Sequence, residues 1–449
     1  MVEAIANSVE DRLIDGLSFK LAPGASYVTD RRSVTYHPQG SNIYKPLTGT
    51  KLIRFNLTGD SWLDPSTLRF SYTLKNNSAT EALRPIGGPW AFFRRMRILA
   101  GGQIIEDIDQ YNRVHELMHI LTSKNSREND GAEAFGYSPE NYRWVAPSAT
   151  AYPGIKPGQT QVVLFRLLSG LLNQNKYLPI RYMPITIELE LVDSMADPIV
   201  TVFTGSTPAT DITEANTNTS DWEIINCEVK CDMCTLDNAL DNSYAEHLLS
   251  GKSLPINYST FVSQLQTMST SKNAVNVARA LTRLKAVLVT FQKDHNDSDR
   301  KFMFAKQWND FFSPMSSDNK GGNFTHNTDG EFEFQLQIGS KLYPEYPIRS
   351  HSEGFYQLRK MLGLQSSTVH RFDVNSLSYR ESKFVLGIDA EKVTEAGWTG
   401  LNTRAGDLMR VRFDLTNSTA AIRAADRMHI VLHSDQILEI RDTGVQVFD

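Results

Sequence analysis

Strict two-residue alternation of apolar and polar side chains recurs along most of this chain. Residues 185–191, ITIELEL, have this pattern, and residues 331–338, EFEFQLQI, and 409–416, MRVRFDLT, repeat it. Successive side chains of a β-strand point to opposite faces, so each stretch predicts a strand with one face in a core. Many short strands with few helices favour antiparallel sandwiches or barrels. The alternation therefore predicts an all-β fold.

Length and charge limit the classes of protein that remain. The chain has 449 residues, whereas one domain commonly has about 150 residues, so we expect more than one core. The formal net charge is -5 and no long basic run occurs, so the sequence predicts no specific nucleic-acid binding. The first residues, MVEAIANSVEDRLIDG, lack the apolar centre of a signal peptide, and no apolar run reaches membrane-spanning length.

One order of elements occurs twice, about half a chain apart. In the first half, FRRMRILA, a glycine turn and QIIEDI precede the helix QYNRVHELMHIL. In the second half, FEFQLQI, a turn and KLYPEY precede the helix SEGFYQLRKML. In both helices apolar residues fall at i, i+3 and i+6, a stripe that packs on a sheet. These residues are Val114, Leu117 and Ile120 in the first helix, and Phe355, Leu358 and Met361 in the second. The repeat predicts two tandem β-sandwiches, each with a helix at the same place.

The first of these helices contains the spelling of a zinc-protease motif, HELMH. His115 and His119 lie one helical turn apart and could share a zinc ion, with Glu116 as general base. Such a site needs a third protein ligand. The downstream candidates, all in a polar loop region, are Glu128, Glu133 and Glu140. Because the repeated helix carries no such pair, we interpret the segment as structural and predict no catalytic residue, no metal site and no cofactor.

The three cysteines of the chain lie close together in INCEVKCDMCTL. They are Cys227, Cys231 and Cys234. The spacing of the last two would suit a zinc or redox site, but no second pair accompanies them. Since the stretch alternates as a strand does, the sequence predicts buried free thiols in a reducing compartment.

Other motifs of catalytic chemistry do not occur. LAGGQ lacks the G-x-G-x-x-G spacing of a dinucleotide site, and neither a G-x-S-x-G elbow nor a phosphate-binding loop is present. The acidic stretch KDHNDSD, at 293–299, lacks the ligand spacing of a calcium loop. The sequence therefore predicts a protein that is not an enzyme.

Several long segments resemble those of one protein family. FFRRMRILAGGQIIEDIDQYNRVHELM, NKYLPIRYMPITIELELV, LQIGSKLYPEYPI and LHSDQILEIRDTGVQVFD resemble major capsid proteins of double-stranded DNA viruses. The likeness is to the polinton-like virus and virophage-related group, and more distantly to capsid proteins of large nucleocytoplasmic viruses and adenovirus hexon. It runs from about residue 45 to the C-terminus.

The resemblance implies a fold and a set of partners. The fold would be two tandem eight-stranded antiparallel jelly rolls with a short helix inserted in each. The protein would form a homotrimer with a pseudo-hexagonal outline, and these capsomers would tile an icosahedral shell. Its partners would be neighbouring capsomers, a penton and minor capsid proteins. The resemblance does not decide whether an inner membrane is also a partner. The protein would reside in the virion after synthesis in the reducing interior of a host cell.

The domain boundaries predicted from the sequence divide the chain into four parts. They are an N-terminal arm at 1–44, a first jelly roll at 45–240, a connecting segment at 241–255, and a second jelly roll with the C-terminal tail at 256–449. We expect the arm to be held near the base of the capsomer by neighbouring rolls or chains. The long polar segments 123–158, 194–220 and 292–330 are predicted to be loops that include the outer surface.

Two other functions remain open at this point. One is a zinc-dependent hydrolase that uses His115, Glu116 and His119. The other is a glycan-binding double β-sandwich, which would need exposed aromatic and carboxylate side chains clustered in a cleft. Metal analysis would distinguish the hydrolase, because bound zinc would disappear in His115→Ala and His119→Ala variants.

Overall fold

The described part of the chain forms four antiparallel sheets that stack in two pairs. The computed structural model describes residues 27–47, 49–136, 154–199, 219–268, 272–292, 308–309, 311–314, 331–364, 374, 378–379, 383–392, 400–404, 408–416 and 426–449. Every described strand pairs antiparallel with its neighbour in a sheet. In these ranges no helix is both long enough and apolar enough to cross a bilayer.

The first pair of sheets contains the described strands up to residue 236. They are β1 (Val28–Tyr36), β2 (Ile43–Tyr44), β3 (Leu52–Leu57), β4 (Trp62–Asn76), β5 (Phe93–Ala100), β6 (Gln103–Ile108), β7 (Thr160–Phe165), β8 (Leu178–Pro179), β9 (Ile185–Leu191) and β10 (Trp222–Leu236). One sheet has the order β1-β10-β4-β7, with the short β2 and β8 at its sides, and the other has the order β3-β9-β5-β6. Without β2 and β8, eight strands remain in the order of a jelly roll.

The second pair of sheets repeats this topology. Its described strands are β11 (Leu254–Thr267), β12 (Lys272–Val277), β13 (Leu284–Gln292), β14 (Glu331–Ile338), β15 (Lys341–Ile348), β16 (Leu386–Asp389), β17 (Met409–Thr416), β18 (Arg427–Arg441) and β19 (Gly444–Phe448). The sheet orders are β11-β18-β13-β16, extended by β19 beside β18, and β12-β17-β14-β15. Strands β11 to β18 match the eight main strands of the first roll one by one in chain order. The predicted fold of two tandem eight-stranded jelly rolls is confirmed.

A helix follows the fifth main strand of each roll. Helix α1 (Tyr111–Ile120) follows β6, α2 (Lys124–Glu133) comes next, α3 (Asn238–Leu249) connects the two rolls, and α4 (His351–Met361) follows β15. Short 3-10 helices are present at Pro89–Phe92 and Leu171–Asn173. The predicted stripe of α1 is buried, and in α4 Leu358 is buried while Phe355 and Met361 pack partly buried against the core. The predicted helix in each roll is confirmed.

Helix α2 corrects one prediction from the sequence. Residues 124–133 lie in a range that was expected to be loop, but they form a helix capped by Ser123, whose hydroxyl accepts a hydrogen bond from the Ser126 amide. Only Arg127 of the ten residues is buried. A helix with so little apolar surface produces no 3.6-residue apolar period, so its capping serine was the only available signal.

Aromatic side chains fill the same place in both cores, between the two sheets. In the first roll Phe70 on β4 meets Phe93 on β5 edge to face, with ring centroids 5.5 Å apart. In the second roll Phe291 on β13, the counterpart of β4, lies 4.5 Å from Phe413 on β17. All four rings are almost completely buried. Large rings on the matched strands β4 and β13, each packed on a ring of the facing sheet, explain how two sequences without obvious identity fill one architecture.

Short and long connections lie at opposite ends of the rolls. At one end, β5 and β6 are joined by the turn Gly101-Gly102, where both residues have positive φ, and β14 and β15 by Gly339-Ser340. Antiparallel pairing places the long connections β6–β7, β9–β10 and β13–β14 at the other end. Contacts agree, because Trp308 of the β13–β14 connection donates to the Asp197 carbonyl of the β9–β10 connection, with nitrogen and oxygen 2.9 Å apart. The two rolls therefore stand side by side with the same end up.

The first sheet starts earlier than the boundary that was predicted from the sequence. Strand β1 pairs with β10 over its length, although the sequence assigned residues 1–44 to an arm. Most of β1 is exposed on both faces, so its sequence VTDRRSVTY has no apolar alternation to reveal it. Residues 1–26, most of the predicted arm, lie outside the described residues.

Candidate functional site

The HELMH segment packs against a tryptophan of the β4–β5 connection. The Trp90 indole nitrogen donates to Glu116 Oε2 at 2.8 Å. Its ring stacks on His115, with centroids 4.0 Å apart and planes inclined by 13°, and lies 4.7 Å from the His119 ring. All three side chains of the motif thus contact one indole. This packing fixes α1 to the Pro89–Phe92 turn.

Burial keeps both histidines of the motif neutral. Removal from water disfavours the charged imidazolium, which lowers the pKa of His115 to about 4 and that of His119 to about 3. His115 Nε2 donates to the Arg166 carbonyl at 3.2 Å. Both rings therefore behave as packed aromatic groups at neutral pH.

The proposed third ligands point to other partners. Glu128 Oε1 lies 3.9 Å from Lys124 Nζ on α2, and Glu133 Oε2 lies 3.8 Å from Arg69 Nε. Glu140 lies outside the described residues. Over the described ranges, no three His, Cys, Asp or Glu side chains are grouped as metal ligands. Among the residues that the structure describes, none is brought to His115 and His119 as a third ligand.

The three cysteines are buried on β10 and unpaired, as the sequence predicted. Burial raises the pKa of Cys231 to about 12 and raises that of Cys227 further. A thiol with such a pKa is protonated at neutral pH, and only the thiolate reacts or binds metal readily. These cysteines therefore serve as small apolar residues of the first core.

A group of buried polar side chains and amides lies where the two rolls meet. Glu106 on β6 is 1% exposed. One carboxylate oxygen accepts the Gly170 amide at 2.9 Å, and the other accepts the Leu171 amide at 3.3 Å and the Ser169 hydroxyl. Burial raises the pKa of Glu106 despite these donors. The carboxyl group holds residues 169–171 against β6. This turn and β6 both face the second roll.

Strand β11 of the second roll lies directly against this turn. The Tyr258 hydroxyl donates to the Ile105 carbonyl at 2.9 Å, and the Ser263 hydroxyl donates to the Asp109 carbonyl at 2.6 Å. A Cβ atom on Gly170 would stand 1.5 Å from the Ser259 carbonyl oxygen. Only glycine permits this approach, so Gly170 sets the distance between the rolls.

A cavity rich in arginine lies at the loop end of the same junction. It has a volume of about 270 Å³, and its lining includes Arg94, Arg113, Arg427, Asp193 and Asp197. Arg113 Nε donates to Gln292 Oε1 of the second roll at 3.2 Å, and its guanidinium lies 5.2 Å from the centre of the Trp308 ring. Polar and cation–π contacts thus hold the upper part of the junction, while β6 and β11 hold the lower part.

Sequence reasoning missed the junction residues because their surroundings belong to another roll. Glu106 reads as a solvent-facing residue of QIIEDI, but a β-bulge shifts the pairing, with Ile98 opposite Glu106 and Leu99 opposite Ile104. The extra residue, Ile105, reverses which side chains point inward. Gly170 in LLSGLLN was a weak signal, since a glycine between apolar residues often marks a close backbone approach.

Comparison with known proteins finds the same fold in viral structures. A chain of the PBCV-1 virus capsid aligns with 96% of this chain and over 100% of its own length. The TM-score is 0.59 and the sequence identity is 11%. The Sputnik virophage structure aligns with 96% of this chain and 90% of its own chain, with a TM-score of 0.58 and 10% identity. The Faustovirus major capsid protein aligns with 96% of this chain and 94% of its own, with a TM-score of 0.52 and 9% identity. No protein-family model matches the sequence, and no curated protein matches it. The chain therefore shares the double jelly-roll fold of these capsid structures over nearly its whole length.

Proposed function

We propose that this protein is a non-enzymatic major capsid protein. The observation that carries the proposal is the side-by-side packing of two jelly rolls of identical topology with the same end up. The likeness of the whole chain to folds from PBCV-1, the Sputnik virophage and Faustovirus supports it. The protein would then reside in the virion and act by binding copies of itself.

The assembly unit in this proposal is a homotrimer. Each chain contributes two equivalent rolls, so three chains supply six rolls to a pseudo-hexagonal ring. An obligate interface of this kind commonly buries more than about 2,000 Å². Further contacts, between neighbouring trimers and with a penton and minor capsid proteins, belong to the same proposal.

We place the end with the long connections outward. The tight turns Gly101-Gly102 and Gly339-Ser340, together with Tyr27 and α3, lie at the opposite end. The Asp237 amide before α3 donates to the Tyr27 carbonyl at 2.8 Å, which holds the start of β1 next to the connection between the rolls. The inner end would face the particle interior, where the N-terminal segment can meet neighbouring chains.

The hydrolase alternative receives no support from the geometry around HELMH. Trp90 contacts all three motif residues, and the nearby glutamates pair with Lys124 and Arg69. No observation favours the glycan-binding alternative.

Size measurement combined with electron microscopy tests the proposal. Three chains of 50.5 kDa give about 150 kDa, which light scattering of the purified protein should report. Negative-stain images should show particles with a pseudo-hexagonal outline. A protein that stays monomeric at micromolar concentration and forms no shells would contradict the proposal.

A further inference from the structure

The contact between the rolls within one chain defines which edges fit together. The first roll contributes β6 and the turn around Gly170, and the second roll contributes β11. In roll topology these are the fifth main strand of one roll and the first strand of the next. On the second roll, this contact helps to bury Ile256, Tyr258 and Thr260 of β11.

The same two kinds of edge occur once more in the chain, and there they are exposed. The fifth strand of the second roll, β15, leaves Leu342 37% and Tyr346 80% exposed. The first strand of the first roll, β1, is exposed over most of its length, whereas its counterpart β11 is largely covered. Tyrosine is enriched among the residues that anchor protein interfaces, and Tyr346 has four fifths of its surface in water on this edge strand.

The exposed edge is not suited to strand addition. Pro344 and Pro347 on β15 have no amide hydrogen, and proline on an edge strand prevents further hydrogen-bonded pairing. The contact inside the chain has the same character. Strands β6 and β11 meet through side chains and carbonyl groups without a hydrogen-bonded ladder between them. The β15 edge, like the contact between β6 and β11, therefore suits packing through side chains.

The edge charges are compatible with such a contact. Glu345 on β15 and Arg32 on β1 are both exposed. Neither forms an ion pair with another described residue. Opposite charges at the rim of an interface favour the correct orientation of two copies.

We infer that the β15 edge of one copy, with Tyr346 as its apolar anchor, packs against the β1 edge of the next copy. This inference rests on the proposed function and adds the residues that join the subunits. The proposed contact between two chains has the same arrangement as the contact between β6 and β11 within one chain. It is heterologous, since two different surfaces meet, and it closes into a ring after three copies.

Paired cysteine substitutions test the inference directly. The double variant Arg32→Cys with Tyr346→Cys, treated with a bismaleimide that spans about 10 Å, should give covalent dimers and trimers on a denaturing gel. A cross-linker of this length also joins positions that are shifted by one or two residues along the strands, since adjacent strand residues are about 3.3 Å apart. The native cysteines are buried and should contribute little.

The single variants distinguish this contact from its competitors. Each single cysteine should give no covalent trimer, because a heterologous contact needs both surfaces. Cross-linking by Tyr346→Cys alone would indicate a two-fold contact of β15 with itself and would overturn the inference. As a matched control, Val162→Cys replaces Tyr346→Cys in the double variant. Val162 is 67% exposed on β7, at the sheet edge opposite β1, and should not cross-link to Arg32→Cys.

A disruptive variant separates failure of the inference from failure of the proposed function. Tyr346→Arg should lower the fraction of trimer in light scattering at least tenfold near the dissociation constant, while Val162→Arg should leave it unchanged. If wild type forms trimers that persist in Tyr346→Arg and the cysteine pair does not react, the inference is wrong and the capsid proposal stands. If wild type forms no trimer, the capsid proposal itself fails.

Discussion

The fifth main strands of the two rolls, β6 and β15, have the same position in the topology and opposite surroundings. Strand β6 carries the buried Glu106 and lies under β11 of the second roll. Strand β15 carries two prolines and the exposed Tyr346, and no described element of the chain covers it in the same way. The comparison teaches that a few side chains on an edge strand determine what that edge of a jelly roll contacts. One edge is specialised for a partner in the same chain, and we propose that the other meets a partner in another chain.

The largest effect is expected at Gly170, where the backbones of the two rolls approach each other. Gly170 has φ -68, which alanine adopts easily, so Gly170→Ala is a purely steric test. Its methyl group would overlap the Ser259 carbonyl, and we expect a loss of about 3 kcal/mol in the free energy of unfolding. Urea denaturation at fixed protein concentration measures it.

Gly59→Ala is the control for this variant, because the nearest heavy atom to its Cβ would be 3.8 Å away. Equal urea midpoints for the two variants would show that the β6–β11 contact does not depend on close backbone approach.

Glu106→Ala should have the next largest effect. It leaves the amides of Gly170 and Leu171 and the Ser169 hydroxyl buried without their acceptor, which costs about 2 kcal/mol. The same urea experiment measures the loss. Glu345→Ala on the exposed β15 edge is the matched control and should change the monomer by less than about 0.5 kcal/mol. A larger loss in the control would contradict the distinction between the edges.

Each roll has one buried and one half-buried histidine in the same element, α1 in the first roll and β18 in the second, and this predicts an acid-sensitive fold. Burial lowers the pKa of His429 to about 3 and that of His433 to about 4, as it does for His115 and His119. An unfolded histidine has a pKa near 6.5, so the unfolded chain binds more protons below that pH. Stability is complete above about pH 6.5 and falls toward pH 4, by up to about 1.4 kcal/mol per pH unit for each histidine.

His433→Phe tests this sensitivity in the second roll alone. The His433 ring stacks on Phe261 with centroids 4.8 Å apart, and phenylalanine can keep that packing without taking up a proton. Unfolding midpoints measured from pH 7 to pH 4.5 should fall less steeply than in wild type. His37→Asn, at an exposed position, should retain the wild-type slope. Parallel slopes for His433→Phe and wild type would refute this account.

The smallest effect concerns thiol chemistry and reports the opening of the first roll. All three cysteines lie on β10, and the equivalent strand β18 has none. Because burial raises the pKa of Cys231 to about 12, iodoacetamide should react very slowly with the native protein at pH 7.5. Labelling should accelerate in Glu106→Ala if the junction stabilises the first roll. Rapid labelling of the native wild type, followed by mass spectrometry, would show that β10 opens independently.

The amino-acid sequence determined the strands and their duplication. Alternation in ITIELEL and EFEFQLQI predicted strands that the structure contains, because a half-buried strand must place every second side chain in the core. The order of strand, tight turn, strand and helix predicted α1 and α4 at matching places, since each helix needs an apolar stripe to cover the sheet.

Tertiary structure alone decided where the rolls meet and which polar groups become buried. Strand β1 has no apolar alternation, because it is exposed in this chain, and only its hydrogen bonds to β10 identify it. Glu106 became a buried residue through a bulge and a neighbouring roll more than 140 residues away in sequence, whose Tyr258 hydroxyl donates to the adjacent Ile105 carbonyl. Local pattern reports the face of a strand in its own sheet. It carries no information on what a distant segment of the chain, or another copy, will place against that strand's edge.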